Sequence, residues 1–133
     1  MTDDTSTTAA AVRMWPALSF RDAEAAMAWL RAVGFTEHAT FRDDDGTVVH
    51  AEWLWPEGGG IMFGADTTGI VRNAGGSAIY LVTADPDGAF ARAVEAGATV
   101  QRELRDEGYG GRGGSVLDAE GNHWSFGSYQ PGA

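Results

Sequence analysis

The sequence predicts an α+β fold made of two βαβββ modules, because the chain repeats itself and each copy carries the same order of element signals. Shifting the 133-residue sequence by 63 positions superimposes like residues in one unbroken register. The matched pairs are Leu18 and Leu81, Asp22 and Asp85, Ala26 and Ala89, Gly34 and Gly97, Thr36 and Thr99, Gly58 and Gly121, Phe63 and Phe126, and Gly64 and Gly127. A repeat of this kind predicts duplicated structural units.

The repeat and the local composition divide the chain into four segments. We expect a disordered tail at residues 1–11, a first module at residues 12–65, a linker at residues 66–76 and a second module at residues 77–128. Small and polar residues predict the tail, and glycines among polar residues predict the linker.

The first module begins with a strand at residues 13–20, where side chains alternate with the period of two that a sheet requires. Asp22 is expected to cap a helix, because its carboxylate accepts a free backbone N–H of the first turn. Gly34 is expected to end that helix. The buried face of the helix follows the spacing of three and four, at Ala23, Ala26, Met27, Leu30 and Val33. Three strands follow, at residues 35–42, 48–55 and 61–64.

The second module repeats this order. Its first strand is predicted at residues 77–83, and its helix begins after Asp85 with Pro86 in the first position, where a missing N–H costs nothing. The helix buries Ala89, Phe90, Ala93 and Val94 and ends at Gly97. The remaining segments are a strand at residues 99–104, a glycine-rich loop at 108–114, and short strands at 115–117 and 122–127.

The composition excludes several classes of function. The chain has no cysteine, which excludes disulfides and thiolate metal sites. Its net charge of −10 argues against nucleic acid as a partner. That charge attracts cationic partners over long range, or else serves only to keep the protein soluble. No apolar run reaches the ~20 residues of a membrane span, and the start lacks the basic and apolar regions of a signal peptide, so a cytoplasmic protein is expected.

Five phrases carry a resemblance to a known family. They are Phe-Arg-Asp-Ala-Glu-Ala-Ala at residues 20–26, Gly-Phe at 34–35, Val-His-Ala-Glu at 49–52, Tyr-Gly-Gly-Arg-Gly-Gly at 109–114 and Asp-Ala-Glu-Gly-Asn-His-Trp at 118–124. Together they resemble the vicinal oxygen chelate superfamily, in its glyoxalase/bleomycin-resistance branch, over residues 13–128. A proline is usual in that branch where Ala119 stands here.

The resemblance implies that the sheets of the two modules surround a concave cavity, that helices cover the outer faces and that two chains form a homodimer. Enzymes of the family hold one divalent metal in the cavity through His, Gln or Glu. The positions equivalent to those ligands carry Trp15, Met62, Ala78 and Ser125. Because Zn²⁺, Ni²⁺ or Fe²⁺ needs about three imidazole or carboxylate donors from the protein, we expect no metal and no other cofactor.

Strand alternation predicts which side chains face the cavity. They are Trp15, Ala17, Ser19, His50, Glu52, Leu54, Met62, Tyr80, Val82, His123 and Ser125. Aromatic and apolar walls with a few polar groups are typical of a small-molecule site. Trp15 and Tyr80 either stack on a flat or cationic ligand or only fill space. Tyr109 and Arg112 are expected to reach over the pocket from the glycine-rich loop, or Arg112 forms a structural ion pair.

His50 and Glu52 lie two positions apart on one strand, so their side chains are neighbours on one face. Three interpretations stay open: an acid–base pair, a pair of ligand contacts, or a solvated polar surface. If His123 lies across the cavity, the three residues form an unorthodox metal site.

Two functions follow. The first is a binding protein that sequesters a small aromatic or cationic compound without a metal, with paired sites built between two chains. The second is a lyase or dioxygenase of the same superfamily, with displaced metal ligands or with acid–base chemistry by His50 and Glu52. We predict that a glutathione–methylglyoxal adduct is not turned over.

Overall fold

The computed structural model describes residues 12–68, 73 and 76–132. The first module contains β1 (Ala17–Phe20), α1 (Ala23–Val33), β2 (Thr36–Arg42), β3 (Val48–Leu54) and β4 (Gly60–Ala65). The second contains β5 (Ala78–Val82), α2 (Pro86–Glu95), β6 (Thr99–Asp106), β7 (Arg112–Leu117) and β8 (His123–Gly127). The predicted fold of two βαβββ modules is confirmed. The predicted tail lies outside the described residues, as does most of the predicted linker.

Each module forms one four-stranded sheet, with strand orders β1-β4-β3-β2 and β5-β8-β7-β6. The first strand of each module runs parallel to the last, and the other neighbours are antiparallel. Ala17 pairs with Met62 in the first sheet and Tyr80 pairs with Ser125 in the second, at the offset seen in the sequence. The sequence repeat is therefore a repeat of strand register.

The two sheets also share a backbone irregularity. The register of β2 shifts between Glu37 and Ala39, and that of β6 shifts between Val100 and Arg102, at equivalent positions of the repeat. Such bulges bend a strand and re-aim side chains. Strand alternation alone does not predict the direction of side chains beyond a bulge.

The helices begin as predicted. The carboxylate of Asp22 accepts the N–H of Ala25 at 3.0 Å, and that of Asp85 accepts the N–H of Gly88 at 3.0 Å. Helix α1 ends at Gly34, whose positive φ of 134° suits glycine. Helix α2 ends at Glu95, so its C-cap is Ala96 and not the predicted glycine. Within the part of the chain that the structure describes, no helix is long and apolar enough to cross a membrane.

One hydrophobic core joins the two modules through their helical sides. Trp53, Trp124 and Phe126 are buried in it. Trp29 of α1, which the predicted helix face did not include, is only 9% exposed and packs against Trp124 with ring centroids 5.5 Å apart. Its indole N–H donates to the carbonyl of Ala93 in α2 at 3.1 Å. The helix-covered sides of the two modules therefore pack against each other and are buried in one core.

Two predicted strand starts are wrong by three or more residues. Strand β1 begins at Ala17 instead of residue 13, because Pro16 has no N–H to donate to a ladder. Strand β7 begins at Arg112, so the end of the predicted glycine-rich loop is sheet. A Cβ on Gly113 would lie 2.7 Å from the carbonyl oxygen of Phe126. Gly113 therefore permits a close approach of β7 and β8. In the sequence alone, a glycine in this role cannot be distinguished from a glycine in a loop.

Candidate functional site

Each sheet has one face turned away from the shared core. Face 1, on the sheet of β1 to β4, is formed by Trp15, Ala17, Ser19, His50, Glu52, Leu54 and Met62. Face 2, on the sheet of β5 to β8, is formed by Ala78, Tyr80, Val82, Ser115, His123 and Ser125. The predicted site residues thus form two groups within a chain. Both faces are uncovered in a single chain, apart from buried Ser115.

On face 1, the ring of Trp15 lies against Gly60. A Cβ on that glycine would lie 2.5 Å from the indole ring, so only glycine leaves the ring its place. The indole N–H donates to the carbonyl of Val12 at 3.3 Å. Met62 follows Gly60 by two residues on β4 and pairs with Ala17 and Glu52 in the ladder. The result is a flat aromatic surface next to a flexible thioether.

The predicted neighbours on β3 are hydrogen-bonded. His50 Nε2 lies 2.7 Å from Glu52 Oε2, and the two side chains are 42% and 34% exposed. Phe41 of β2 stacks on the imidazole with ring centroids 6.0 Å apart and an interplanar angle of 27°. A ligand on face 1 can therefore reach a carboxylate, an imidazole and an aromatic ring together.

On face 2, Tyr80 lies over Gly127, where any Cβ would overlap with the phenol. Its hydroxyl donates to the carbonyl of Tyr129 at 2.7 Å. Burial raises the pKa of Tyr80, so the phenol stays neutral and keeps its proton. Tyr80, Tyr109, Arg112 and Ser125 line one small cavity of about 80 Å³. The structure thus brings four of the predicted binding residues together.

Glu107 is the polar centre of that cavity, and sequence reasoning missed it. Its side chain is 8% exposed and pairs with Arg102 at 2.7 Å and Arg105 at 3.1 Å. The hydroxyl of Tyr109 donates to the same carboxylate at 3.2 Å. The pKa of Glu107 is lowered, chiefly by hydrogen bonding to Arg105. The carboxylate therefore ties the β6–β7 connection to side chains of β6.

Arg112 is engaged with helix α2. Its Nε and Nη2 donate to the two oxygens of Asp87 at 2.8 and 3.2 Å. This pairing lowers the pKa of Asp87 and raises that of Arg112. Tyr109, by contrast, is 65% exposed, with its ring edge-to-face against Tyr129 at 4.9 Å between centroids. The tyrosine is available to a ligand, whereas the guanidinium already has two carboxylate bonds.

His123 belongs to a hydrogen-bonded group that strand alternation did not predict. Its Nε2 lies 3.2 Å from Oε1 of Gln101, and the hydroxyl of Ser115 donates to the same oxygen at 2.6 Å. Gln101 reaches face 2 because of the bulge in β6. The repeat offers one sequence signal for this group. The position equivalent to Gln101, 63 residues earlier in β2, is also polar and is occupied by His38.

The residues present do not fit the divalent metal that the resemblance implies. Trp15, Met62, Ala78 and Ser125 offer no imidazole or carboxylate. In the described ranges, no three His, Asp or Glu side chains are grouped to hold a metal ion. The interpretation that His123 joins His50 and Glu52 is wrong for a single chain, because the histidine lies on the other sheet.

Comparison with known proteins agrees with this architecture. The model of the Glyoxalase/Bleomycin resistance protein/Dioxygenase superfamily matches residues 14–126. An uncharacterized protein of Mycobacterium bovis is 34% identical in an alignment 131 positions long, and the match covers 88% of this chain and 86% of the relative. The crystal structure of TioX from Micromonospora sp. ML1 matches with a TM-score of 0.71 and 30% identity, over 89% of this chain and 98% of TioX.

A bleomycin resistance determinant encoded on the transposon Tn5 shares the fold, with a TM-score of 0.65. It is 17% identical, and the match covers 89% of this chain and 98% of that one. At this level of identity the likeness concerns the fold alone.

Proposed function

Because this chain belongs to the glyoxalase/bleomycin resistance protein/dioxygenase superfamily, we propose that it binds a small, planar, aromatic cation and sequesters it without chemical change. The observation that carries the proposal is the residue set at the four ligand positions, which offers an indole, a thioether, a methyl group and a hydroxyl. This set suits an apolar aromatic ligand and provides no chelating donors for a metal.

Two aromatic side chains supply the binding surface. Trp15 and Tyr80 each lie over a glycine, which keeps the ring low against its sheet. Rings held in this way lose little conformational entropy when a flat ligand stacks on them. Aromatic faces also attract cations, by about 0.5–2 kcal/mol.

Charge supplies the preference for a cation. Glu52 on face 1 has one hydrogen-bond partner, the titratable side chain of His50, among the described residues. The whole chain carries a net charge of −10, which speeds the capture of a basic compound at low ionic strength. Sequestration needs only affinity and enough copies of the protein, so it needs no catalytic group.

The proposed binding unit is a homodimer. The core between the modules turns faces 1 and 2 outward, so a site enclosed by two sheets needs a second chain. We propose that face 1 of one copy meets face 2 of the other, which gives two equivalent sites. Each site then contains Trp15 from one chain and Tyr80 from the other.

Two measurements test this proposal. Protein purified without chelator or affinity tag is incubated with Zn²⁺, Ni²⁺, Mn²⁺ and Fe²⁺, desalted and analysed by elemental mass spectrometry. We expect less than about a tenth of an equivalent of each metal. The same protein is then titrated with proflavine, a planar aromatic cation, with bleomycin, and with anionic fluorescein as the matched control.

Tryptophan quenching by proflavine that weakens with salt, without quenching by fluorescein, is the expected result. Near one equivalent of any metal would overturn the assignment of the four ligand positions. If neither proflavine nor bleomycin binds at millimolar concentration, the ligand class is wrong.

The second candidate function is acid–base catalysis, which the 2.7 Å contact between His50 and Glu52 favours. A carboxylate hydrogen-bonded to an imidazole orients the ring for proton transfer. Both side chains are accessible on face 1, next to the aromatic surface. Loss of turnover in His50→Ala, with ligand binding retained, would favour this function over sequestration.

A further inference from the structure

A row of polar side chains crosses face 2 from one edge of the sheet to the other. Tyr80 pairs with Ser125, Ser125 pairs with Ser115, and Ser115 is hydrogen-bonded to Gln101. Neighbouring strands lie about 4.8 Å apart, so the row is about 14 Å long. It has an aromatic ring at one end and a carboxamide at the other.

The bulge in β6 creates the carboxamide end. Val100 pairs with Val116 and Arg102 pairs with Ser115, so Gln101 is the extra residue in the strand. Its side chain reaches the same face as His123 and Ser115. Without the bulge, one fewer polar side chain would lie on this part of face 2.

Two hydrogen bonds fix the orientation of the Gln101 carboxamide. Oε1 accepts the hydroxyl proton of Ser115 at 2.6 Å and the Nε2 proton of His123 at 3.2 Å. Ser115 is only 2% exposed, and a buried hydroxyl needs an acceptor for its proton. Turning the carboxamide by 180° would remove that acceptor, so Oε1 faces Ser115.

This orientation leaves the nitrogen of Gln101 to a ligand. A glutamine has two acceptor positions on oxygen and two N–H donors on nitrogen. Both acceptor positions are used, whereas the nitrogen donates to no group in the described ranges. The Gln101 N–H is therefore a donor held in place beside an open face. The strand spacing puts it about 14 Å or less from the ring of Tyr80.

We infer that Gln101 is a specificity-determining residue, whose carboxamide N–H donates to a carbonyl or carboxamide oxygen of the bound aromatic compound. Ser115 and His123 position it, and neither needs to touch the ligand. The inference rests on the proposed function and adds to it the polar group that the ligand carries. An aromatic cation with a carbonyl acceptor thus binds better than one of the same shape without it.

A matched pair of probes tests the inference. The 3-acetyl-1-benzylpyridinium cation carries a carbonyl acceptor without any N–H, where 1-benzyl-3-ethylpyridinium carries an ethyl group of similar size, and both are aromatic cations. Affinities are measured by NMR titration of ¹⁵N-labelled protein. We expect the acetyl probe to bind about three- to tenfold more tightly, because one hydrogen bond is worth that much. The side-chain NH₂ signal of Gln101 should shift with this probe alone.

The chain offers a matched control, because its two glutamines are Gln101 and Gln130. Gln101→Glu keeps an acceptor for Ser115 and removes the N–H donor, and Gln130→Glu makes the same charge change at an exposed position. The preference for the acetyl probe should vanish in the first variant and persist in the second. The loss of one NH₂ signal in each variant also assigns the two glutamines.

Equal affinity of the wild type for both probes, or an unmoved Gln101 signal, would overturn the inference and leave the proposed function intact. If neither probe binds, and proflavine does not bind either, the proposed function fails and the inference fails with it. A preference that survives in Gln101→Glu would mean that another group reads the carbonyl.

Discussion

The indole N–H of Trp29 in α1 donates a hydrogen bond to the carbonyl of Ala93 in α2, at 3.1 Å. This bond crosses the boundary between the modules inside their common core. Because each helix packs on one side of its own sheet, the shared core determines which side of each sheet is left uncovered. The position of the candidate site thus follows from how the helical sides of the two modules pack against each other.

Mixing two variants tests where the proposed sites are assembled. Trp15→Ala and Tyr80→Ala should each weaken proflavine binding by about tenfold or more, because each removes one stacking surface. If a site combines face 1 of one chain with face 2 of the other, the mixed dimer contains one fully intact site. Unfolding and refolding the two variants together should therefore restore high-affinity binding at half of the sites in the mixed dimers.

The control is the same refolding step applied to each variant alone, which should restore nothing. Sedimentation of the mixture establishes that dimers form. If the mixed dimers bind as weakly as their parents, each site lies within one chain and the proposed arrangement is wrong.

Trp29→Phe tests the common core. The substitution removes the hydrogen bond to Ala93, leaves the carbonyl without its partner and opens space beside Trp124. We expect a loss of about 1–3 kcal/mol in the free energy of unfolding, measured by urea denaturation. Trp15→Phe, on uncovered face 1, is the matched control and should cost much less. Equal losses in both variants would mean that the bond between the helices contributes little.

The sequence predicted the modules well because burial imposes a periodic pattern on helices and strands. In β3, His50 and Glu52 are half-buried and Ala51 between them is fully buried, as strand alternation predicts. Bulges and contacts between modules leave no such pattern. Gln101 reaches face 2 only through a bulge, and Trp29 is buried only because the second module covers it.

The glycines of β7 show a second reason for failure. Gly113 is needed where the backbone of β8 approaches closely, and a loop uses glycine for its conformational freedom. The residue type is the same in both situations. Only the pairing of β7 with β8 distinguishes them, and that pairing involves residues far apart in the chain.

The glycines beneath the two aromatic rings provide a test that deletes no binding group. Gly60→Ala and Gly127→Ala place a methyl group where the rings of Trp15 and Tyr80 now lie. The rings must leave their rotamers, which costs of the order of 0.5–1.5 kcal/mol. Proflavine affinity should fall about three- to tenfold in each variant by fluorescence titration. Gly108→Ala meets no atom within 4 Å and should bind normally.

Should all three alanine variants bind proflavine like the wild type, the two rings do not form the binding surface. Near-ultraviolet circular dichroism detects the displaced Trp15 ring in Gly60→Ala independently of any ligand. A spectrum identical to that of the wild type would mean that the ring had not moved.

The Glu107 carboxylate predicts a pH-dependent stability. Its pKa in the folded protein lies below the ordinary value of 4.5, chiefly through hydrogen bonding to Arg105. Such a group stabilises the fold above its unfolded pKa, and the stabilisation is lost as the pH falls through the folded pKa. Glu107→Gln should therefore be less stable than the wild type at pH 7, and the difference should shrink below about pH 4.5.

Urea denaturation at a series of pH values measures this difference. Glu103→Gln makes the same substitution on strand β6, at an exposed side chain without an ion pair among the described residues. Its stability should follow the wild type at every pH. A constant gap between Glu107→Gln and the wild type from pH 7 to pH 3 would contradict the prediction.

His50→Ala and Glu52→Gln distinguish sequestration from catalysis. Loss of the carboxylate charge should weaken proflavine binding several-fold and reduce its salt dependence, because a partly exposed charge contributes about 1 kcal/mol. His50→Ala frees Glu52 from its 2.7 Å partner and should bind the cation as well as, or better than, the wild type. Wild-type protein with added Zn²⁺ or Ni²⁺ should not isomerise the glutathione–methylglyoxal adduct. Turnover that disappears in His50→Ala would instead establish the pair as catalytic.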